Sequence, residues 1–194
     1  MPTTAMVAHR LAPAMGVSDR TARRIALKLQ DAHLLPPVAH GGPRTRSPVL
    51  DHRQVITYAL ALAAPGMVEQ VAGTVARVAT LREQLDTNLG APLQDTLTSL
   101  ITKTPPDFFV ANNTTLKIIT VADELWATLE IKTTDQADIS IQHTDYCSVF
   151  DSLSQSDRID RFINIGNAAP IGTSREVVIY SPVFAILADM IHQK

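Results

Sequence analysis

Leu11-Ala12-Pro13-Ala14-Met15-Gly16-Val17-Ser18-Asp19-Arg20-Thr21-Ala22-Arg23-Arg24-Ile25, continued to Leu35, is the stretch on which the reading of this chain turns. Leu11, Met15, Val17, Ala22, Ile25 and Leu29 stand where two short crossing helices must meet, and Ala12 is small enough to let them approach. Gly16 supplies the positive φ of a sharp turn between them. Ser18 suits the N-cap of the second helix, and Asp19 suits the positive end of its dipole. Ala22, Ile25, Ala26 and Leu29 recur at helical spacing as one buried stripe. Asp19, Arg20, Arg23 and Lys28 fall on other faces. After Ala32-His33-Leu34-Leu35, the pair Pro36-Pro37 cannot continue a helix.

Charge is distributed unevenly around this stretch. Residues 1–53 hold eight Lys and Arg against three acids, net +5, together with four of the six histidines, while the remainder is net −7. The overall charge of −2 and the pI of about 6.3 conceal the split. A basic end on an acidic body suggests a nucleic-acid-binding part joined to a part that does something else. The competing reading is a plain helical hairpin whose arginines form a solvated face, and the charge asymmetry weighs against it.

Leu11-Ala12, Gly16-Val17-Ser18, Thr21-Ala22 and Ile25 resemble the helix-turn-helix signature of bacterial and phage DNA-binding regulators, and the Leu34-Leu35 ending resembles winged relatives. The likeness covers about thirty residues. It implies double-stranded DNA as partner, with the helix over 18–35 in the major groove. Arg20 and Arg23 would reach base edges, since arginine pairs bidentately with guanine. Asp19 would accept from cytosine, and Ser18, Thr21, Arg24 and Lys28 would cap the helix or hold the backbone. Two positions depart from the pattern. Pro13 is expected to kink or restart the first helix, at a cost of roughly 3 kcal/mol for an interior proline, and Ala22 thins the interhelical contact.

Val38 to Pro48 lacks apolar periodicity and is read as a basic arm, with Arg44 and Arg46 touching phosphates or entering the minor groove. Ser47 or Asp51 is expected to cap an apolar helix through Val55, Ile56, Tyr58, Leu60 and Leu62, which would cover the back of the first two. Met67 to Leu89 reads as one long helix with a heptad seam of Val68, Val71, Val75, Val78, Leu85 and Leu89, and Arg82 in the polar seam position. It would pack on its own domain or dimerise. A further helix is expected from about Pro92 to Thr102.

Beyond Pro105-Pro106 the chain turns β-branched. Thr115–Val121, Leu125–Lys132 and Asp138–Thr144 read as strands, the first two joined as a hairpin through Ala122-Asp123-Glu124. Cys147 is expected in a strand, 151–162 holds an ambiguous helix, and Gly166 to Gly172 is a loop without the residues of a phosphate-binding loop. Glu176–Tyr180 reads as a strand, followed by a closing helix capped by Ser181 with Pro182 at its first position.

The expected fold class is therefore α+β. A helix-turn-helix domain spans 1–65, a helical linker or dimerisation segment with the long central helix spans 66–104, and a small antiparallel sheet with a closing helix spans 105–194. No enzyme motif, cofactor site or metal-ligand set emerges, and the scattered aspartates between Asp135 and Asp160 do not match a nuclease. No apolar run is long enough for a membrane span, and neither a leader nor a disulfide is indicated, so a cytoplasmic, nucleoid-associated protein is expected. A homodimer is favoured, with a possible protein partner for the C-terminal part. The alternatives are a phage packaging component resembling a small terminase subunit, and a protein-interaction module.

Overall fold

The computed structural model describes residues 1–38, 47–64, 68–84, 89–121, 124–133, 137–144 and 174–193. The element order is α1 (Thr4–Ala14), α2 (Asp19–Asp31), α3 (His52–Ala63), a 3-10 turn (Val68–Gln70), α4 (Val71–Thr80), β1 (Arg82–Gln84), β2 (Leu89–Pro92), α5 (Leu93–Lys103), α6 (Pro106–Ala111), β3 (Asn113–Val121), β4 (Glu124–Lys132), β5 (Ile139–Thr144), β6 (Ser174–Tyr180) and α7 (Ser181–His192). The chain is thus mixed α+β, with the strands among the described residues in one antiparallel six-stranded sheet of order β2-β1-β5-β4-β3-β6.

The long helix expected over 67–89 is not formed. Its first half is helical, and Val71, Val75 and Val78 do lie on one buried face, but they pack into the chain's own core. The helix then stops at Thr80, whose hydroxyl donates back to the carbonyls of Ala76 and Arg77, a local bond that competes with helix continuation. Leu81 turns to extended backbone, is fully buried, and accepts from the Leu93 N–H at 2.7 Å. Arg82, expected in a helical seam, pairs with Pro92 on one side and Thr144 on the other. The sheet captures this segment because a central strand satisfies backbone groups on both edges.

Sheet and helices share one apolar core running from Val7 to Met190, across both expected domain boundaries. On the sheet, the rows Ile179-Leu116-Leu129-Ile141 and Val177-Ile118-Ala127-His143 follow directly from the registers, and period-two alternation puts both rows on the same face. His143 is the exception in that second row. It is completely buried, with Nε2 at 3.3 Å from the Thr96 hydroxyl of α5.

The closing helix follows the expected span but not the expected cap. Ser181 is its first residue, without a side-chain cap. Its hydroxyl instead accepts from Thr114 N–H at 2.6 Å and faces the carbonyls of Asn112 and Thr114, fixing α7 to the start of β3. Phe109 of α6, a helix that the sequence reading omitted, stacks on Phe184 of α7 at 5.8 Å. Pro106 at the start of α6 is where proline is tolerated in a helix. Cys147, the 151–162 helix and the 166–172 loop lie outside the described residues.

Burial pushes the His143 pKa down from the usual 6.5 to about 4, against a smaller opposing pull from the backbone of Ile141. The unfolded chain therefore binds a proton between these values that the folded chain refuses. Stability is complete above pH 6.5 and falls as pH drops towards 4, by on the order of 2–3 kcal/mol if burial acts in full. Urea denaturation at pH 7.5 and 4.5 should show this loss in the wild type, and His143→Gln should show a clearly smaller difference between the two pH values.

Candidate nucleic-acid interface

Both helices of the opening stretch form, but the second ends at Asp31 and not at the expected Leu35, and both end the same way. At the end of α1, Gly16 N–H bonds to Pro13 O and Val17 N–H to Ala12 O, with Gly16 at φ 67°. At the end of α2, His33 N–H bonds to Gln30 O and Leu34 N–H to Leu29 O, with His33 at φ 58°. Each is a Schellman motif, which needs one left-handed residue to satisfy the last carbonyls. Pro13 does not break α1, because it sits in the last turn and the helix ends one residue later.

Leu11, Ala12, Ala22, Ile25, Ala26 and Leu29 are buried between the helices and α3, with Met15 and Val17 packed at the margin. Behind α2, the buried Tyr58 hydroxyl of α3 donates to Ala22 O at 2.8 Å, and burial raises its pKa, so it stays a donor. Ala22 itself is completely buried, and its backbone carbonyl receives this hydroxyl.

The outward side of α2 carries most of the expected residues. Asp19, Arg20, Arg23 and Arg24 are exposed and Lys28 is half-exposed. Ser18 and Thr21 serve the helix itself. The Ser18 hydroxyl accepts from Thr21 N–H at 3.2 Å and lies 2.9 Å from the Thr21 hydroxyl. Asp19 accepts from Arg23 at 2.9 Å, an i,i+4 pair along the helix. Arg24 reaches Glu69 of the 3-10 turn at 2.8 Å, an acid that the sequence reading left outside the site. Arg20 and Lys28 form no ion pair among the described residues. Arg44 and Arg46 lie outside the described residues.

The base of the expected arm is well placed. Thr3 and Val49 form an antiparallel bridge, flanked by Thr4 N–H to Pro48 O and Leu50 N–H to Pro2 O. A cavity of about 590 Å³ opens between α1, α2 and this base, with His9, Asp19, Arg23, Leu27, Gln30 and Pro48 on its walls. Leu27, exposed in the middle of α2, was missed. Its place opposite the buried stripe, seven residues after Arg20, was legible from helical spacing alone.

Three of the N-terminal arginines pair with acids beyond residue 53. Arg10 pairs with Asp189 of α7 at 2.7 Å and holds that carboxyl below its ordinary pKa. Arg53 meets Asp95 at 3.1 Å, and Arg24 meets Glu69. The net +5 of residues 1–53 is in part matched by acids that the body lends to it.

Among the described residues no cluster of His, Cys, Asp or Glu could hold a metal ion, and no helix is long and apolar enough to cross a membrane. Neither the protein-family models, nor the curated proteins, nor the solved structures contain a match to this chain.

Tyr58→Phe removes only the hydroxyl on Ala22 and should cost about 0.5–1.5 kcal/mol in chemical denaturation. In the same assay His33→Gly should stabilise, or at least not destabilise, because glycine adopts a left-handed φ without penalty. Gly16→Ala should cost about 1 kcal/mol.

Proposed function

We propose that this chain is a sequence-specific DNA-binding protein, a transcriptional regulator of bacterial, phage or mobile-element type, that lays α2 in the major groove. The observation that carries this reading is a short helix pair turned at Gly16 and braced from behind by Tyr58, with Arg20, Arg23, Arg24 and Lys28 on its outward side. Arg20 is the strongest base-reading residue, since no acid among the described residues holds it. Arg23 is pre-set by Asp19, and the pair presents guanidinium and carboxylate side by side. Lys28 is suited to phosphate, as are Arg44 and Arg46 of the arm, whereas Arg24 must leave Glu69 before it can contact a backbone oxygen.

A second reading is supported by the arginine pairs with Glu69, Asp95 and Asp189. Cations already neutralised within the chain suit a protein-interaction module that has no need of DNA. The packaging alternative loses its main support, because the long assembly helix it relied on ends at Thr80.

Selection of bound fragments from a random duplex pool, with the mass in solution recorded alongside, separates these readings. A recurring motif in two half-sites with a dimeric mass supports the regulator. Sequence-blind binding with a ring-sized mass supports packaging, and no retained DNA supports the interaction module. On a selected site, Arg20→Ala should cost about 1–3 kcal/mol and relax preference at one position. Lys28→Ala should weaken all sequences alike and reduce the salt slope by about 1.

A further inference from the structure

The exposed leucine of α2 has no place in the division of roles above. Ala22, Ile25, Ala26 and Leu29 of the same helix are at most 6% exposed, whereas Leu27 is 55% exposed. It follows Arg24, Arg23 and Arg20 by three, four and seven residues, so all four share the outward side of the helix. Leu27 and Arg23 stand on the walls of the same cavity. An apolar side chain bordered by arginines also suits a protein interface, where arginine is enriched, and that occupant is one outcome of the test below. The same arrangement is well matched to a major groove, where flanking phosphates attract the cations and the thymine methyl is the apolar group offered at the base edges.

We propose that Leu27 reads a thymine 5-methyl group. Leu27 stands four residues beyond Arg23, about 6 Å along a helix rising 1.5 Å per residue. With base pairs about 3.4 Å apart, the thymine lies about two base pairs from the guanine that Arg23 addresses. This rests on the DNA-binding reading and adds to it the chemical identity of one base in the target.

The test uses the full chain and the duplex it selects best, with each thymine replaced in turn by uracil, which deletes only the methyl. The wild type should lose roughly fourfold in affinity at one position, the worth of one buried methyl, and little elsewhere. Leu27→Ala should bind the thymine duplex about as weakly as the wild type binds the uracil one, and should no longer tell them apart. Leu27→Met, which keeps an apolar contact, should recover part of the discrimination. An unchanged circular dichroism melt for both variants ties these effects to the surface rather than to folding.

Wild-type indifference to every uracil replacement overturns the proposal, as does a Leu27→Ala variant that keeps the preference. A mass in solution that falls in Leu27→Ala, with DNA discrimination intact, makes Leu27 a protein contact and also overturns it. A chain that selects no duplex at all overturns the DNA-binding reading itself, which is a different result from selective binding without a methyl effect.

Discussion

A helix buried on every side is the constraint around which this fold is arranged. Val55 to Ala63 of α3 are all buried, so no stripe of that helix is left for water and every residue must be apolar or internally bonded. The two polar members comply in different ways. Thr57 donates to Arg53 O and accepts from Gln94 Nε2 at 2.6 Å, and Tyr58 donates to Ala22 O. These two bonds face different neighbours, α5 and α2, so α3 holds the candidate surface helix and the sheet-side helices at once. Ala59, Ala61 and Ala63 keep it slender enough for neighbours to close around it.

This arrangement explains what could be read from the chain and what could not. The helix pair was legible from Leu11 onward because its apolar spacing, its glycine and its cap are local signals that agree with one another, but the second helix was read four residues too long, since it ends at Asp31 through the left-handed His33 and not at the prolines. Strands β3 to β6 were legible within one or two residues for the same reason, since alternation and β-branching coincide there. The error over 67–89 arose where local and distant preferences part. The valines at 71, 75 and 78 do form a helical face, but the seam does not continue through Arg82, whose sheet partners lie at Pro92 and Thr144. No pattern within the segment names those partners. Ser181 shows the same limit on a smaller scale, because its sequence context is that of a cap while its bonds go to the start of β3.

For the candidate surface, residue types were legible and their commitments were not. Sequence alone places four cations on α2, but only coordinates show that Arg24 is engaged by Glu69, Arg23 by Asp19, and Arg20 by no acid among the described residues. Charge counted along the chain treats residues 1–53 and the rest as separate bodies. In the fold they interlock through Arg10–Asp189, Arg24–Glu69 and Arg53–Asp95. These pairs are part-exposed and individually weak, so they orient the two parts more than they stabilise them, and they reduce the field the surface projects.

The interlock of α1 with α7 also sets an order of events during synthesis. The helix pair is built from contacts close in sequence and can form as soon as α3 has emerged, whereas β6 and α7 join β3 and α1 only across long stretches of chain. Until residues 174–192 have left the ribosome, the α7-facing side of α1 lacks its partner, and β3 lacks one of its two neighbours. The surface on α2 is therefore shaped early, while the body that steadies it from below is completed last. A chain stopped short of Ser174 would carry a formed helix pair on an open core, leaving it exposed to proteases and to association with other incomplete chains.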